Sequence, residues 1–279
     1  ELSLPACFAM AILETGHAVH VSTVQRWLAQ PSRLAKTMRI CLPHKDISDD
    51  TASLLSALTL QCCNLQVLQL PGNRIGDHGV SCLVESLKLL SASLQILDLS
   101  DNCLSGVGAK KLARMFFCEG GAASLQVKPR FRLLDLSKNK LDDHGVAGVA
   151  RNIAAGKVLA KQTLLRLQQV GCSSQGLAGF TGCHLAGLDI GYNALGLDGA
   201  RMLLAARRRN RWHSLRMSCI SDGAKASETL SWSALAGFDC LEKGLNDFEC
   251  NGNHLGENAC CCLAENMSKW IPTLRRLAL

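Results

Sequence analysis

The amino-acid sequence predicts an α/β solenoid: a horseshoe of stacked strand–turn–helix units, with parallel strands on the concave face and helices on the convex face. Three observations lead there. An eleven-residue apolar pattern ending on Asn-x-Leu recurs along the chain. Each copy is followed by a glycine-led stretch with helical spacing. The 279 residues are 48% hydrophobic yet only 4% aromatic, so the core must be aliphatic. Such a unit cannot bury its apolar face alone; stacking makes one continuous core, which bends because helices are wider than strands.

The strand comes first in each unit. Leu65–Ile75, Leu94–Leu104 and Phe131–Leu141 align without gaps as L-x-x-L-x-L-x-x-N-x-L, with Phe131 replacing the first Leu. Leu185–Leu195 and Leu245–Leu255 fit with substitutions, the second with Phe248 and Cys250 at inner positions. Asn73 and Asn102 stand 29 residues apart, which sets the period. The 54 residues from Asn139 to Asn193 and the 60 from Asn193 to Asn253 each hold a degraded unit, with Val170 and Ile220 in the place of Asn. Lys45 holds that place one period before Asn73. About eight repeats therefore span residues 37–279, and a ninth opens at Leu274, so the repeat domain is expected to be truncated at its C-terminus.

The turn comes next. The side-chain amides of Asn73, Asn102, Asn139, Asn193 and Asn253 can bond turn backbone that is otherwise unpaired, giving a structural ladder along the stack. The helix closes the unit. Gly79–Leu87, Gly108–Phe116, Gly145–Ile153 and Gly199–Ala206 carry apolar residues at helical spacing after a glycine. Residues 1–36 lack the motif. There, Thr23–Leu28 reads as a short amphipathic helix ended by Pro31, either a helical cap or a decayed repeat.

The period near 29 and the tail Asn-x-Leu-x-x-x-Gly resemble the ribonuclease-inhibitor-like class of leucine-rich repeats, over residues 37–279. That class includes ribonuclease inhibitors, the sensor ends of NOD-like receptors, activators of the GTPase Ran, and the tails of tonsoku-like scaffolds. The resemblance implies the horseshoe and, for most members, protein binding. It leaves two other roles open: a GTPase-activating domain of the Ran-activator type, and the ligand-sensing end of a NOD-like receptor. The irregular units around Val170 and Ile220 depart from the very regular ribonuclease inhibitors.

Signs of chemistry are weak. Gly106-Val107-Gly108-Ala109-Lys110-Lys111 faintly suggests a phosphate loop, but that motif needs G-x-x-x-x-G-K-[ST] after a buried strand. These glycines fall at the turn-to-helix junction, as Gly76, Gly79 and Gly145 do. His78 and His144 share one register position, so the repeat explains them better than acid–base work. His17 and His20 are too few for structural zinc, and consecutive Cys260, Cys261 and Cys262 cannot all face one metal from a helix. No metal or cofactor is expected. The 15 cysteines form no Cys-x-x-Cys pair, and Cys82, Cys172 and Cys250 take aliphatic places, as free thiols can. Reduced cysteines in the cytosol or nucleus are expected. The sequon Asn266-Met267-Ser268 falls on an expected helix and carries no weight. No apolar run approaches the ~18 residues of a membrane span.

The formal charge of +7, with 19% charged residues, falls well short of a nucleic-acid-binding tail. The densest basic cluster, Arg207-Arg208-Arg209-Asn210-Arg211, suits a solvated helix C-terminus. A second binding site or a targeting signal stays open there. Strand side chains alternate, so the central outward column runs Cys41, Gln69, Asp98, Asp135, Arg166, Asp189, Arg216 and Glu249. It holds no Ser–His–Asp set, and an open parallel sheet suits a large partner better than a small substrate. The expected function is a non-enzymatic protein–protein interaction module that binds through Asp98, Asp135, Arg166, Asp189, Arg216 and Glu249. The acids of the column are expected to face solvent and attract a basic protein or peptide. Neither nucleic acid nor a membrane is expected as partner, and self-association is left open.

Overall fold

The computed structural model describes residues 10–13, 19–118, 131–156, 159–220, 244–253 and 273–278. Ten strands form one parallel sheet in chain order: β1 (Met10–Leu13), β2 (Thr37–Cys41), β3 (Val67–Gln69), β4 (Ile96–Asp98), β5 (Leu133–Asp135), β6 (Leu164–Arg166), β7 (Gly187–Asp189), β8 (Ser214–Arg216), β9 (Asp247–Glu249) and β10 (Arg276–Ala278). The sheet does not close on itself. Most strands have three residues because only the x-Leu-x triplet must run straight. The middle residues Leu68, Leu97, Leu134, Leu165, Leu188, Leu215 and Phe248 pair in register and point into the core, where all are buried.

Helices back the sheet: α1 (Val21–Leu28), α2 (Pro31–Leu34), α3 (Asp49–Gln61), α4 (Asp77–Leu89), α5 (Gly106–Phe117), α6 (Asp142–Ala155) and α7 (Gly196–Asn210). Pro31 follows α1 and also opens α2 at its first turn, where a missing N–H is tolerated. Met10–Leu13, which the sequence analysis did not place in a strand, pairs in parallel with β2. Between α6 and α7 the convex layer thins to a 3-10 segment, Ser174–Gly182. Val170 and Asn193 are only 23 residues apart, which leaves no room for a full helix. Glycine suits the close approach: a Cβ on Gly179 would meet that of Ala150 at 2.8 Å.

Two hydrogen-bonded ladders tie the units together. In the first, Asn73 donates to the carbonyls of Leu42 and Leu70, and its Oδ1 accepts from the amides of Lys45 and Ile47. Asn102, Asn139, Asn193 and Asn253 bridge to their preceding units in the same way. Val170 and Ile220 offer no carboxamide. At those breaks the preceding turn tightens: Asp142 takes φ +57° and Gly196 φ +59°, and their amides donate to the carbonyls of Val170 and Ile220.

The second ladder joins helix starts. Asp49 accepts from the Gly76 amide at 2.6 Å. Asp77 accepts from the amides of Ser105 and Gly108 and from the Ser105 hydroxyl. Asp143 accepts from the amides of Ser173 and Gly176 and from the Ser173 hydroxyl. Each acid thus caps the next unit's helix or 3-10 segment. The glycines at 106 and 108 take their meaning here. A Cβ on Gly106 would lie 2.5 Å from the Gly145 Cα, and the Gly108 amide already serves Asp77, so this stretch is a helix-packing junction and not a phosphate cradle.

Candidate functional site

Three columns of side chains cross the concave face, set by the register of the strands. The first, at the strand starts, is apolar in its middle: Val67, Ile96, Leu133 and Leu164 lie opposite one another. The second is the charged column. The third, just past the strands, holds Pro71, Ser100, Ser137, Gln168 and Ser218. Neighbouring strands lie ~4.8 Å apart, so same-face side chains cover each other, and Val67 and Leu133 are buried although they sit on the concave side.

The charged column is largely paired within itself. Arg166 donates to Asp135 at 3.3 Å. Gln168 donates to the Asp189 carboxylate at 2.8 Å. Arg216 holds Asp247 through two bonds and lies 3.8 Å from Glu249, which Arg276 also reaches at 3.2 Å. Among the described residues Asp98 accepts from the amide and hydroxyl of Ser100 alone. The expectation that the column's acids face solvent fails at Asp135 and Asp189, which are 6% and 2% exposed. A concave sheet crowds same-face side chains together, and the acids sit below their donors.

Burial sets the electrostatics. It pushes the Asp98 carboxyl above its ordinary value, helped by the like charge of Asp135 and opposed by the Ser100 bonds. Burial raises Asp189 too, against the Gln168 and Gly191 bonds. At Arg216 burial works against the charge, but the bond to Asp247 and the negative charges of Asp247, Asp189 and Glu249 together outweigh it and raise the guanidinium's value. The cysteines follow burial as well: Cys62 and Cys183 are pushed up to about 12, and Cys172 is raised further. Such thiols stay protonated at neutral pH and make poor nucleophiles. Cys82 sits half-buried between α3 and α4, accepting from Ser53, and not in the aliphatic core where the sequence analysis put it.

Along the second and third columns runs an open groove of about 420 Å³, lined by Asp135, Ser137, Lys138, Arg166, Asp189 and Arg216 among others. Within it Arg166 bonds Asp135 and Gln168 bonds Asp189. Among the described residues no group of His, Cys, Asp and Glu could hold a metal ion. His78 and His144 are exposed in the first turns of α4 and α6, off this face. His20 precedes α1. His17, Leu255, the Cys260–Cys262 run and the Asn266 sequon lie outside the described residues. In the basic cluster, Arg207 and Asn210 are buried while Arg208, Arg209 and Arg211 are exposed; Trp212 is buried and donates to the Cys183 carbonyl.

Asp98, Asp135, Arg166, Asp189, Arg216 and Glu249, the six residues expected from the sequence, lie side by side on one face. Their pairing with Gln168, Asp247 and Arg276 was not expected from the sequence. The signal was available, because the register sets Ser214 and Arg216 beside Asp247 and Glu249.

A family model described as Leucine Rich repeat matches residues 61–84 and 91–113. The chain is a leucine-rich repeat protein. It is 24% identical over 247 residues to human "NACHT, LRR and PYD domains-containing protein 5", covering 81% of this chain and 20% of that protein. It is 32% identical over 210 residues to mouse "Tonsoku-like protein", covering 71% of this chain and 14% of the relative. A third relative, human "NACHT, LRR and PYD domains-containing protein 12", is 27% identical over 250 residues, covering 88% of this chain and 22% of its own length. The repeat chain thus spans about a fifth or less of these relatives. No helix among the described residues is long and apolar enough to cross a membrane.

Proposed function

We propose that the chain is a protein-interaction module without catalytic activity, and that it receives a folded or extended protein partner on its concave sheet and rims. The observation that carries this reading is the face itself: an apolar row beside a mixed-charge column, with a groove that stays open along it. Apolar contact beside fixed polar groups is the composition of interface cores and rims. A basic partner side chain would meet Asp98 first, since among the described residues no cation is bonded to it and, unlike Asp189, it is only half-buried. The buried, protonated thiols fit a reducing compartment, the cytosol or nucleus. Residues 10–34, a strand and two short helices continuing the stack, read best as a decayed first repeat of a domain that runs to the end of the chain.

Site-specific photo-crosslinking in cells tests this. A crosslinker at Gln69, Ile96 or Gln168 should give discrete adducts with one protein, and one at Val107 on the convex side should not. Adducts from Val107 alone would move the binding surface off the concave sheet. A second reading, the sensing end of a NOD-like receptor, draws support from relatives whose names join a NACHT domain to the repeats. A nucleotide-binding domain encoded on the same polypeptide would favour it. Stimulated GTP hydrolysis by Ran would favour the GTPase-activating alternative.

A further inference from the structure

The net positive charge is not spread evenly over the molecule. Because the strands are parallel and in chain order, every helix starts at one rim of the horseshoe and ends at the other. Acids gather where helices start: Asp49, Asp77, Asp143 and Asp198 all lie in first turns. From the second half of each helix to the following strand, Glu85 is the one carboxylate among the described residues. The same stretches expose Lys88, Arg132, Arg151, Lys161, Arg208 and Arg209. None of these six pairs with a carboxylate among the described residues. Helix dipoles favour bases at C-termini and account for Lys88, Arg208 and Arg209. They do not account for Arg132, which precedes a strand, or Lys161, in a 3-10 turn.

The same rim exposes apolar side chains. Leu60 and Leu89 are 49% and 73% exposed, stand one period apart, and end α3 and α4 beside Lys88. An exposed leucine repeated in register on adjacent units is an apolar step. We propose that the rim where the helices end is a second binding surface, whose occupant is an acidic protein segment that carries apolar side chains. Its carboxylates meet Lys88, Arg151, Arg208 and Arg209, and its apolar residues cover Leu60 and Leu89. Nucleic acid fits less well. Among the described residues the rim's aromatic side chains, Trp27, Phe116, Phe117, Phe131, Phe180 and Trp212, pack into the core and offer bases no stacking platform, and leucines give a phosphate backbone nothing to bind. This surface is distinct from the concave face, and its occupancy does not depend on the reading of that face.

Fluorescence anisotropy with the full chain tests the proposal. The probes are a labelled peptide of repeating Glu-Leu-Glu-Glu, the same peptide with Ser for Leu, and single-stranded oligo-dT of matched charge. The leucine peptide should bind most tightly, and salt should weaken it. Lys88→Gln/Arg151→Gln/Arg208→Gln/Arg209→Gln should lose about tenfold or more in affinity. Leu60→Ser/Leu89→Ser should bind both peptides alike, and Arg208→Lys/Arg209→Lys should bind as wild type does. Circular dichroism checks that each variant folds; should the quadruple variant not fold, Arg208→Gln/Arg209→Gln takes its place, with a smaller loss expected. Tighter binding of oligo-dT, equal binding of the two peptides by the wild type, no binding at low salt, or full affinity in a folded neutralised variant would each overturn the proposal.

Discussion

Asn102 joins four backbone groups from two units: it donates to the carbonyls of Leu70, Leu99 and Ser100 and accepts from the amide of Ile75. Asn102→Ala strands these groups in a buried turn, where each unmet bond is expensive. Urea denaturation should show a loss of about 1–3 kcal/mol; an unchanged midpoint would mean the ladder is ornamental. Asp189 makes the opposite case. Burial raises its carboxyl above the unfolded value of ~3.9. Its contribution to stability is therefore fully present below the unfolded value and is lost as pH rises through the higher folded one. Asp189→Asn keeps an acceptor for Gln168 and removes the buried charge. The variant should be at least as stable as wild type at neutral pH, and it should lack the wild type's relative gain between those two values. Stability measured against pH checks this, and a large loss at pH 7 would show that the charge itself is needed. The ladder was legible in the sequence because Asn recurs at one fixed place within the strand motif. The burial of Asp189 was not, because it depends on what Gln168 and Arg216 do across the curved face.

Among the elements, the helix starts show how one unit orders the next. Asp143 receives two amides and a hydroxyl from the segment that begins at Ser173. Burial works to raise its carboxyl, but the bonds from Ser173, Cys172 and Gly176 prevail and hold it below its ordinary value. A depressed carboxyl contributes stability above the unfolded pKa and loses it as pH falls through the folded one. Asp143→Ala should therefore destabilise by about 0.5–2 kcal/mol at neutral pH, the range for a lost cap, and the difference from wild type should shrink in acid. Thermal unfolding across pH measures both, and a difference that persists in strong acid would point to packing and not charge. The recurring Asp-His-Gly at Asp77 and Asp143 was visible in the sequence as a register match, though not which of its residues the match serves. The acids' role appears only when two units are seen together, because each caps a helix other than its own. Helix positions were readable from apolar spacing; the 3-10 segment at Ser174–Gly182 was foreshadowed only by the short interval that holds it.

For the molecule as a whole, stability should vary along the stack, because each unit of a solenoid touches only its neighbours. The period revealed the stacking order and the strand positions from Thr37 onward. It gave no sign of the strand at Met10–Leu13, which pairs in parallel with β2 yet lacks the apolar pattern. The same stacking predicts where the stack opens first. From Asn73 to Asn139 the carboxamide ladder is continuous, and α3 to α6 pack side by side behind it. Beyond Asn139 the ladder breaks at Val170, resumes at Asn193 and breaks again at Ile220, while the convex layer loses a helix turn structure to the 3-10 segment. Fewer buried bonds and a thinner apolar layer lower the free energy of local opening there. Native-state hydrogen exchange should therefore find the slowest amides in α4, α5 and strands β3 to β5. The amides of Ser174–Gly182 and β7 should exchange through openings that need less denaturant. A single opening free energy shared by β4 and β7 would show that the horseshoe unfolds as one cooperative body, and the breaks at Val170 and Ile220 would then carry no energetic weight.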